Sequence, residues 1–286
     1  MFDCRSFAEI MTNFVETNRF YMKIKNKYGD VLDTLAKWKA GFERVDDPKH
    51  WEEGYSAHSL GYYFTEGKGM SWLDGISLSL FGEKISWDDA RIEHESKLDQ
   101  YGGRHRMQDM ALWGKLSSGE SVFMGIEAKV LESFGNYILR DEYDNAKAEK
   151  KKREAEGKNS NKPARVEEIT DFLFPGKTPY DPVICNLRYQ LMHYFKASIR
   201  EATTYNESVQ PLRKRKHRVD IVVLPVLVFM TEHYKEDVEK GNLNERDYKD
   251  FCEALCLKSS EIGGKSVYVG NIDGRKVITF YEKEEL

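Results

Sequence analysis

The sequence predicts an α/β fold with a mixed central sheet flanked by helices. Two observations carry that expectation. Along the 286 residues the apolar periodicity runs helix, three strands, helix, strand. Val219–Met230 is almost wholly apolar, as expected of a strand covered on both faces, whereas Met107–Leu116 and Glu120–Val130 alternate. With 40% hydrophobic and 13% aromatic residues the chain buries a sizeable core. It reads as one domain over 1–286, with an N-terminal helical extension over 1–45 and a basic insert at about 145–165.

The elements follow in order. Phe7, Ile10, Met11 and Phe14, then Val31, Leu32, Leu35 and Trp38, have helical spacing broken near Gly29-Asp30, which suggests two helices. A third is expected from Ser56, whose hydroxyl would cap it, through Leu60 and Tyr63. Arg91–Leu98, Met107–Leu116 and Glu120–Val130 read as strands. The segment 145–165 has no apolar face and is expected to be a solvated insert. A helix over about 183–204 carries Leu187, Leu191, Tyr194, Phe195 and Ile199 on one stripe. Pro225 inside the Val219–Met230 strand implies a bulge or a local edge. A helix near 243–257 and a hairpin at Asn271-Ile272-Asp273-Gly274 close the chain.

The balance of 44 Lys+Arg against 48 Asp+Glu gives a formal charge of -4, which taken alone weighs against a polyanionic partner. No apolar run reaches the ~20 residues of a bilayer span, so no membrane partner is expected. Met1-Phe2-Asp3-Cys4-Arg5 does not open a secretory signal, so the cytoplasm is the expected compartment. Cys4, Cys185, Cys252 and Cys256 do not form a disulfide framework, and Cys252 and Cys256 read as buried thiols on a helix.

The chemistry concentrates on one hairpin. Ser117-Ser118-Gly119 suits a three-residue loop whose last residue is left-handed. Leu116 then faces Glu120, and counting back sets Trp113 opposite Phe123, Ala111 opposite Gly125, and Asp109 opposite Glu127. Met110, Leu112, Val122, Met124, Ile126, Ala128 and Val130 fall on the other, apolar face. Carboxylates so opposed, with Cβ atoms about 4.5–5.5 Å apart, repel unless something positive lies between them. A divalent cation with oxygen ligands at about 2.0–2.1 Å would neutralise both. Lys129 follows on the same face, about 6–7 Å along the strand from Glu127. Ala111 and Gly125 leave space beside the carboxylates for a substrate.

Asp109 followed by Glu127-Ala128-Lys129 on a hairpin behind a helix resembles the PD-(D/E)XK nuclease superfamily, the restriction-endonuclease-like fold with an αβββαβ core. The resemblance is closer to an uncharacterised family of bacterial restriction-endonuclease-like proteins and covers Lys49–Asn206. It runs through Trp51, Gly54-Tyr55-Ser56-Ala57, Gly103-Arg104, Gly125–Val130, Glu132-Ser133-Phe134-Gly135 and Leu187–His193. It implies that Asp109, Glu127 and the Ala128 backbone carbonyl hold Mg²⁺ or Mn²⁺, and that Lys129 orients the nucleophilic water. The implied activity is phosphodiester hydrolysis, of DNA rather than RNA, in restriction or anti-phage defence, by a nuclease that such a role would make a homodimer. Gln108 replaces a proline frequent before the aspartate. Ser59 stands where related proteins carry a helix glutamate, so Glu53, Glu93 or Glu95 is the candidate for a further ligand, with Glu93 and Glu95 sharing a strand face. Ser59 also keeps open a catalytically silent nucleic-acid-binding or assembly subunit of the same fold.

Gln190 and Tyr194 resemble the Gln-X-X-X-Tyr element of some superfamily members, yet Tyr194 also falls on the apolar stripe. Arg188 reads equally as a phosphate contact or a solvated charge. The clusters at 147–153 and 213–218, including Arg213, Lys214, Arg215 and Lys216, are either solvated faces or the local positive potential that nucleic acid binding needs. His94 and His105 lack paired metal-ligand spacing.

Overall fold

In the computed structural model residues 22–43, 51–102, 105–208 and 220–286 are described. The expected helix over Phe7–Phe14, Cys4, Gly103-Arg104 and the cluster Arg213–Lys216 lie outside them. The strands form one eight-stranded mixed sheet in the order β1-β2-β3-β4-β5-β8-β7-β6. Three neighbouring strands, β2 (Ser86–Ser96), β3 (Arg106–Lys115) and β4 (Ser121–Lys129), form an antiparallel meander. The expected hairpin register holds, with Trp113 opposite Phe123 and Ala111 opposite Gly125. Leu116 N–H donates to Glu120 O at 3.0 Å, and Gly119 has φ +87°, which a residue with a Cβ would resist.

β5 (Ile221–Met230) lies in the middle, parallel to β4 on one side and to β8 (Arg275–Glu285) on the other. Its all-apolar sequence follows from this position, since all of it but Met230 is buried. Pro225 therefore makes neither an edge nor a bulge: its neighbours pair continuously with β8, Pro225 itself against Phe280.

Period-two alternation along β8 shows that helices cover both faces. Trp72 Nε1 donates to Glu282 at 2.8 Å and the Tyr63 hydroxyl to Glu284 at 3.0 Å, so α2 (Ser56–Thr65) and α3 (Lys68–Phe81) cover one face. Thr279 and Tyr281 point the other way and meet Tyr248 of α8 (Val238–Ala254). Phe195 of α6 (Tyr189–Ser208) stacks edge-on against Phe251 of α8, so α6 belongs to that second face. With Leu191, Tyr194, Phe195 and Ile199 all buried, the stripe read from the sequence is core.

Several expectations are corrected. The N-terminal extension is not wholly helical, because β1 (Ile24–Lys25) pairs parallel with β2 before α1 (Leu35–Glu43) begins. The Ser56 hydroxyl does not cap α2: Tyr55 is the N-cap residue and makes no side-chain cap bond. The 145–165 region is not a loose insert but the end of α4 (Leu139–Ala155) and the start of α5 (Lys162–Leu173), which pack on each other. α4 lacks an apolar face because only Leu139 and Ala146 are buried along it; Asp141 and Glu142 in its first turn and Lys152 and Arg153 in its last suit the helix dipole. Cys252 is buried on α8, but Cys256 lies past its end, exposed and at φ +56°. Short α7 (Glu232–Glu236) precedes α8, and β6 (Lys258–Ile262) and β7 (Lys265–Ile272) complete the sheet beside β8. The last turn, Asp273-Gly274, has φ +50° and +70°, as a two-residue hairpin loop requires.

Candidate active site

The β3–β4 ladder runs as far as Met110 opposite Ile126, and beyond that the Asp109 side chain takes over the backbone's part. Its Oδ2 accepts the Ala128 N–H at 2.7 Å, which pins one carboxylate oxygen beside the strand that carries Glu127 and Lys129. Glu127 is 1% exposed, and both of its oxygens are taken: Oε1 accepts from Lys129 Nζ at 3.0 Å and from Gln190 Nε2 at 2.8 Å, and Oε2 pairs with the Arg106 guanidinium. Lys129 also lies 5.7 Å from the Phe134 ring centre.

Arg106, Asp109, Lys129 and Gln190 line a cleft of about 730 Å³, with Glu52, Glu93 and Glu132 beside them and Trp38, Phe42 and Tyr55 forming an aromatic wall, and Glu127 lies behind that lining. The cleft opens where β4 ends between the first turns of α2 and α6. Glu132 makes that junction: its Oε1 accepts the Ser56 N–H at 3.1 Å and its Oε2 the Val130 N–H at 2.7 Å. It thus supplies the acceptor at the start of α2 that the sequence suggested Ser56 itself would provide. Asn244 of α8 donates to the Glu132 carbonyl at 3.0 Å and fixes the same loop.

The electrostatics separate the two central carboxyls. Burial pushes Asp109 up, the Glu127 charge pushes it further, and the result is a pKa of about 7. Burial acts on Glu127 in the same direction, but Arg106 and Lys129 and their hydrogen bonds outweigh it and hold that carboxyl below the usual range. For Glu132, the backbone N–H bonds likewise overcome burial and lower its pKa. One carboxyl is therefore held charged while its neighbour lacks enough positive charge. Hard oxygen donors short of positive charge are what a divalent cation such as Mg²⁺ prefers, so the residues fit that group.

The structure brings together Asp109, Glu127, Lys129, Gln190 and Glu93. Glu93 sits at φ +45°, so the pleat breaks there, and Glu95 is exposed and does not line the cleft with it. Glu53 lines a different cavity of about 600 Å³, together with Ser59. Arg188 pairs with Asp247 at 2.6 Å and lines a third cavity. His94 meets Glu201 at 2.9 Å, and buried His105 Nδ1 has no partner. The expectation that Ala111 and Gly125 open space for a substrate is overturned: a Cβ at Gly125 would stand 3.0 Å from Ser198 Oγ and 3.3 Å from the Phe123 ring, so the small residue admits α6 to the sheet. Two residues were missed from the sequence. Arg106 has no local signal in a chain with 32% charged residues, and the role of Glu132 depends on the Ser56 N–H, 76 residues away.

No curated protein and no solved structure matches the chain. Among the described residues no helix is long and apolar enough to cross a membrane. The model of a family described as a domain of unknown function, DUF6946, matches residues 31–284, nearly the whole chain, and the chain belongs to that family.

Proposed function

We propose that the chain is a Mg²⁺- or Mn²⁺-dependent nuclease of PD-(D/E)XK type that hydrolyses DNA phosphodiester bonds, in a restriction or anti-phage role. The observation that carries this reading is the half-buried Asp109 beside the buried Glu127, with Lys129 Nζ 3.0 Å from Glu127, at the end of the β3–β4 hairpin where Asp109 and Lys129 line a cleft. Asp109, Glu127 and the Ala128 carbonyl would hold the cation, which supplies Lewis-acid polarisation of the phosphate and a more acidic bound water. Lys129 would hold the attacking water and offset negative charge developing on the phosphate. Gln190, anchored on α6, keeps the Glu127 carboxylate in one orientation through its 2.8 Å bond. Dimerisation would bring two such sites to the two strands of a duplex.

The test is cleavage of plasmid and linear DNA by the purified chain with Mg²⁺ or Mn²⁺, in parallel with Lys129→Ala. Cutting that needs the metal and disappears in the variant supports the reading; no cutting of several DNA and RNA substrates, or equal cutting by the variant, rejects it. A second reading is favoured by one observation, that Glu127 already has Arg106, Lys129 and Gln190 on its two oxygens. On it the chain is a catalytically silent nucleic-acid-binding or assembly subunit. Calorimetric titration with Mn²⁺ separates the two, since the silent subunit takes up no metal.

A further inference from the structure

Glu127 raises a question that the nuclease reading leaves open, namely how a carboxylate with no free oxygen accepts a cation. At 1% exposure it cannot remain charged without a partner, because an uncompensated buried charge costs several kcal/mol. Its partners are unevenly placed. Lys129 and Gln190 both bond Oε1, and Oε2 has Arg106.

Arg106 differs from the other two in how it is held. Its Nε is buried and has no acceptor, so its donors are only partly used. Its side chain is 16% exposed and lines the cleft, whereas Lys129, at 8%, is also held by the Phe134 ring. As the first residue of β3 it sits where that strand begins, three positions before Asp109. A guanidinium has a planar fork of donors that matches two oxygens of a phosphate as well as it matches a carboxylate.

We propose that Arg106 is a displaceable counter-ion: it holds Glu127 Oε2 until a divalent cation takes that oxygen, and its released guanidinium then binds a non-bridging oxygen of the substrate phosphodiester. The inference rests on the nuclease reading for its substrate, but its first half is a statement about metal binding alone. It gives Arg106 two opposed effects. With no nucleic acid present it competes with the cation for Glu127; with cation bound it contributes affinity for the phosphate.

The experiment measures both effects without turnover on the full chain. Mn²⁺ affinity is read by calorimetry without nucleic acid, and binding of a short DNA duplex is read by fluorescence anisotropy in Ca²⁺, for wild type and Arg106→Gln. The expected result is Mn²⁺ binding about tenfold tighter in Arg106→Gln and duplex binding about tenfold weaker, which are changes of opposite sign. A general loosening of the site would weaken both. Mn²⁺ binding that is unchanged or weaker, or absent in both proteins, overturns the proposal, as does unchanged duplex binding. If Arg106→Gln lacks a native thermal melt, Arg106→Lys is read instead, with smaller shifts in the same two directions expected and the same results overturning it. Failure of the nuclease reading is seen separately, as wild type that does not cut, while the Mn²⁺ shift is read whether or not it cuts.

Discussion

The Tyr194 hydroxyl lies 2.6 Å from the Gly125 carbonyl oxygen and 3.0 Å from that of Pro225, in a fully buried position between α6 and the β4–β5 pair. In the parallel register Gly125 falls beside Leu224, so its carbonyl would receive the N–H of residue 225, and proline has none. Tyr194 supplies the missing donor, which explains how a proline is tolerated inside a central strand. Tyr194→Phe removes the donor and keeps the packing. It is expected to cost about 1–3 kcal/mol, the penalty of an unpaired buried carbonyl. Urea unfolding measures this, and Mn²⁺ affinity should not change, because Tyr194 works within the sheet rather than at the cleft.

Asp109 makes stability depend on pH in the direction opposite to a salt-bridged aspartate. The unfolded chain releases this proton near 3.8, while the folded one keeps it to about 7. Between these values the folded state binds more protons, so the Asp109 contribution falls as pH rises from about 4 to about 7 and is flat above. Glu127 has the opposite sign, its contribution being lost as pH falls through its lowered value, but it is common to wild type and Asp109→Asn. The variant should therefore gain on wild type in thermal melts between pH 5 and pH 8, by at least the ~2–4 °C that 1 kcal/mol represents in a chain of this size. Millimolar Mn²⁺ should close the gap by stabilising wild type alone. A gap that stays constant with pH would mean that Asp109 ionises normally.

Glu132 lines the cleft, yet its two oxygens are committed to the Ser56 and Val130 N–H groups. Glu132→Gln leaves one acceptor for two donors and turns an amide N–H₂ toward the other. The expected cost is about 1–2 kcal/mol, the range for losing a helix cap. Mn²⁺ affinity should be unaffected, whereas Asp109→Asn should abolish Mn²⁺ binding. A similar loss of Mn²⁺ binding in Glu132→Gln would make Glu132 the further ligand, and paired thermal and calorimetric titrations decide the point.

Where a residue's role is written in its neighbours along the chain, the sequence was readable. The hairpin register followed from alternation and one left-handed glycine, and β5 from an unbroken apolar run. α4 was not readable, because only Leu139 and Ala146 of it touch the core, and β6, Lys258–Ile262, is exposed except for the half-buried Ile262. The site divides in the same way. Asp109, Glu127 and Lys129 follow from counting along one hairpin, whereas Arg106, at the start of the same hairpin, lies outside its paired register, and Glu132 gains its role from a partner 76 residues away. Those contacts depend on how β3, β4 and α2 pack, which local pattern does not encode.

The approach to β3 depends on a buried ion pair with a distinctive double-mutant signature. The Asp99 side chain is 0% exposed; it bonds the Arg165 guanidinium on α5, and its Oδ1 accepts the Tyr101 N–H at 2.8 Å. Arg165 also donates to the Gly102 carbonyl at 3.2 Å, so the pair fastens Tyr101 and Gly102 ahead of β3. Removing one member leaves the other charge without its buried partner, and Asp99→Ala is expected to cost about 3–5 kcal/mol. Replacing both with apolar residues, Asp99→Leu with Arg165→Met, removes the desolvation penalty together with the attraction. It should recover much of the loss in urea unfolding, giving a coupling well beyond the ~0.3–0.5 kcal/mol scatter of independent sites. Because the double variant no longer bonds Tyr101 and Gly102, recovered stability should not restore the Mn²⁺ affinity of wild type if this segment sets the position of Arg106. Additive costs of the two substitutions would show instead that the pair is solvated and does not fasten the strand.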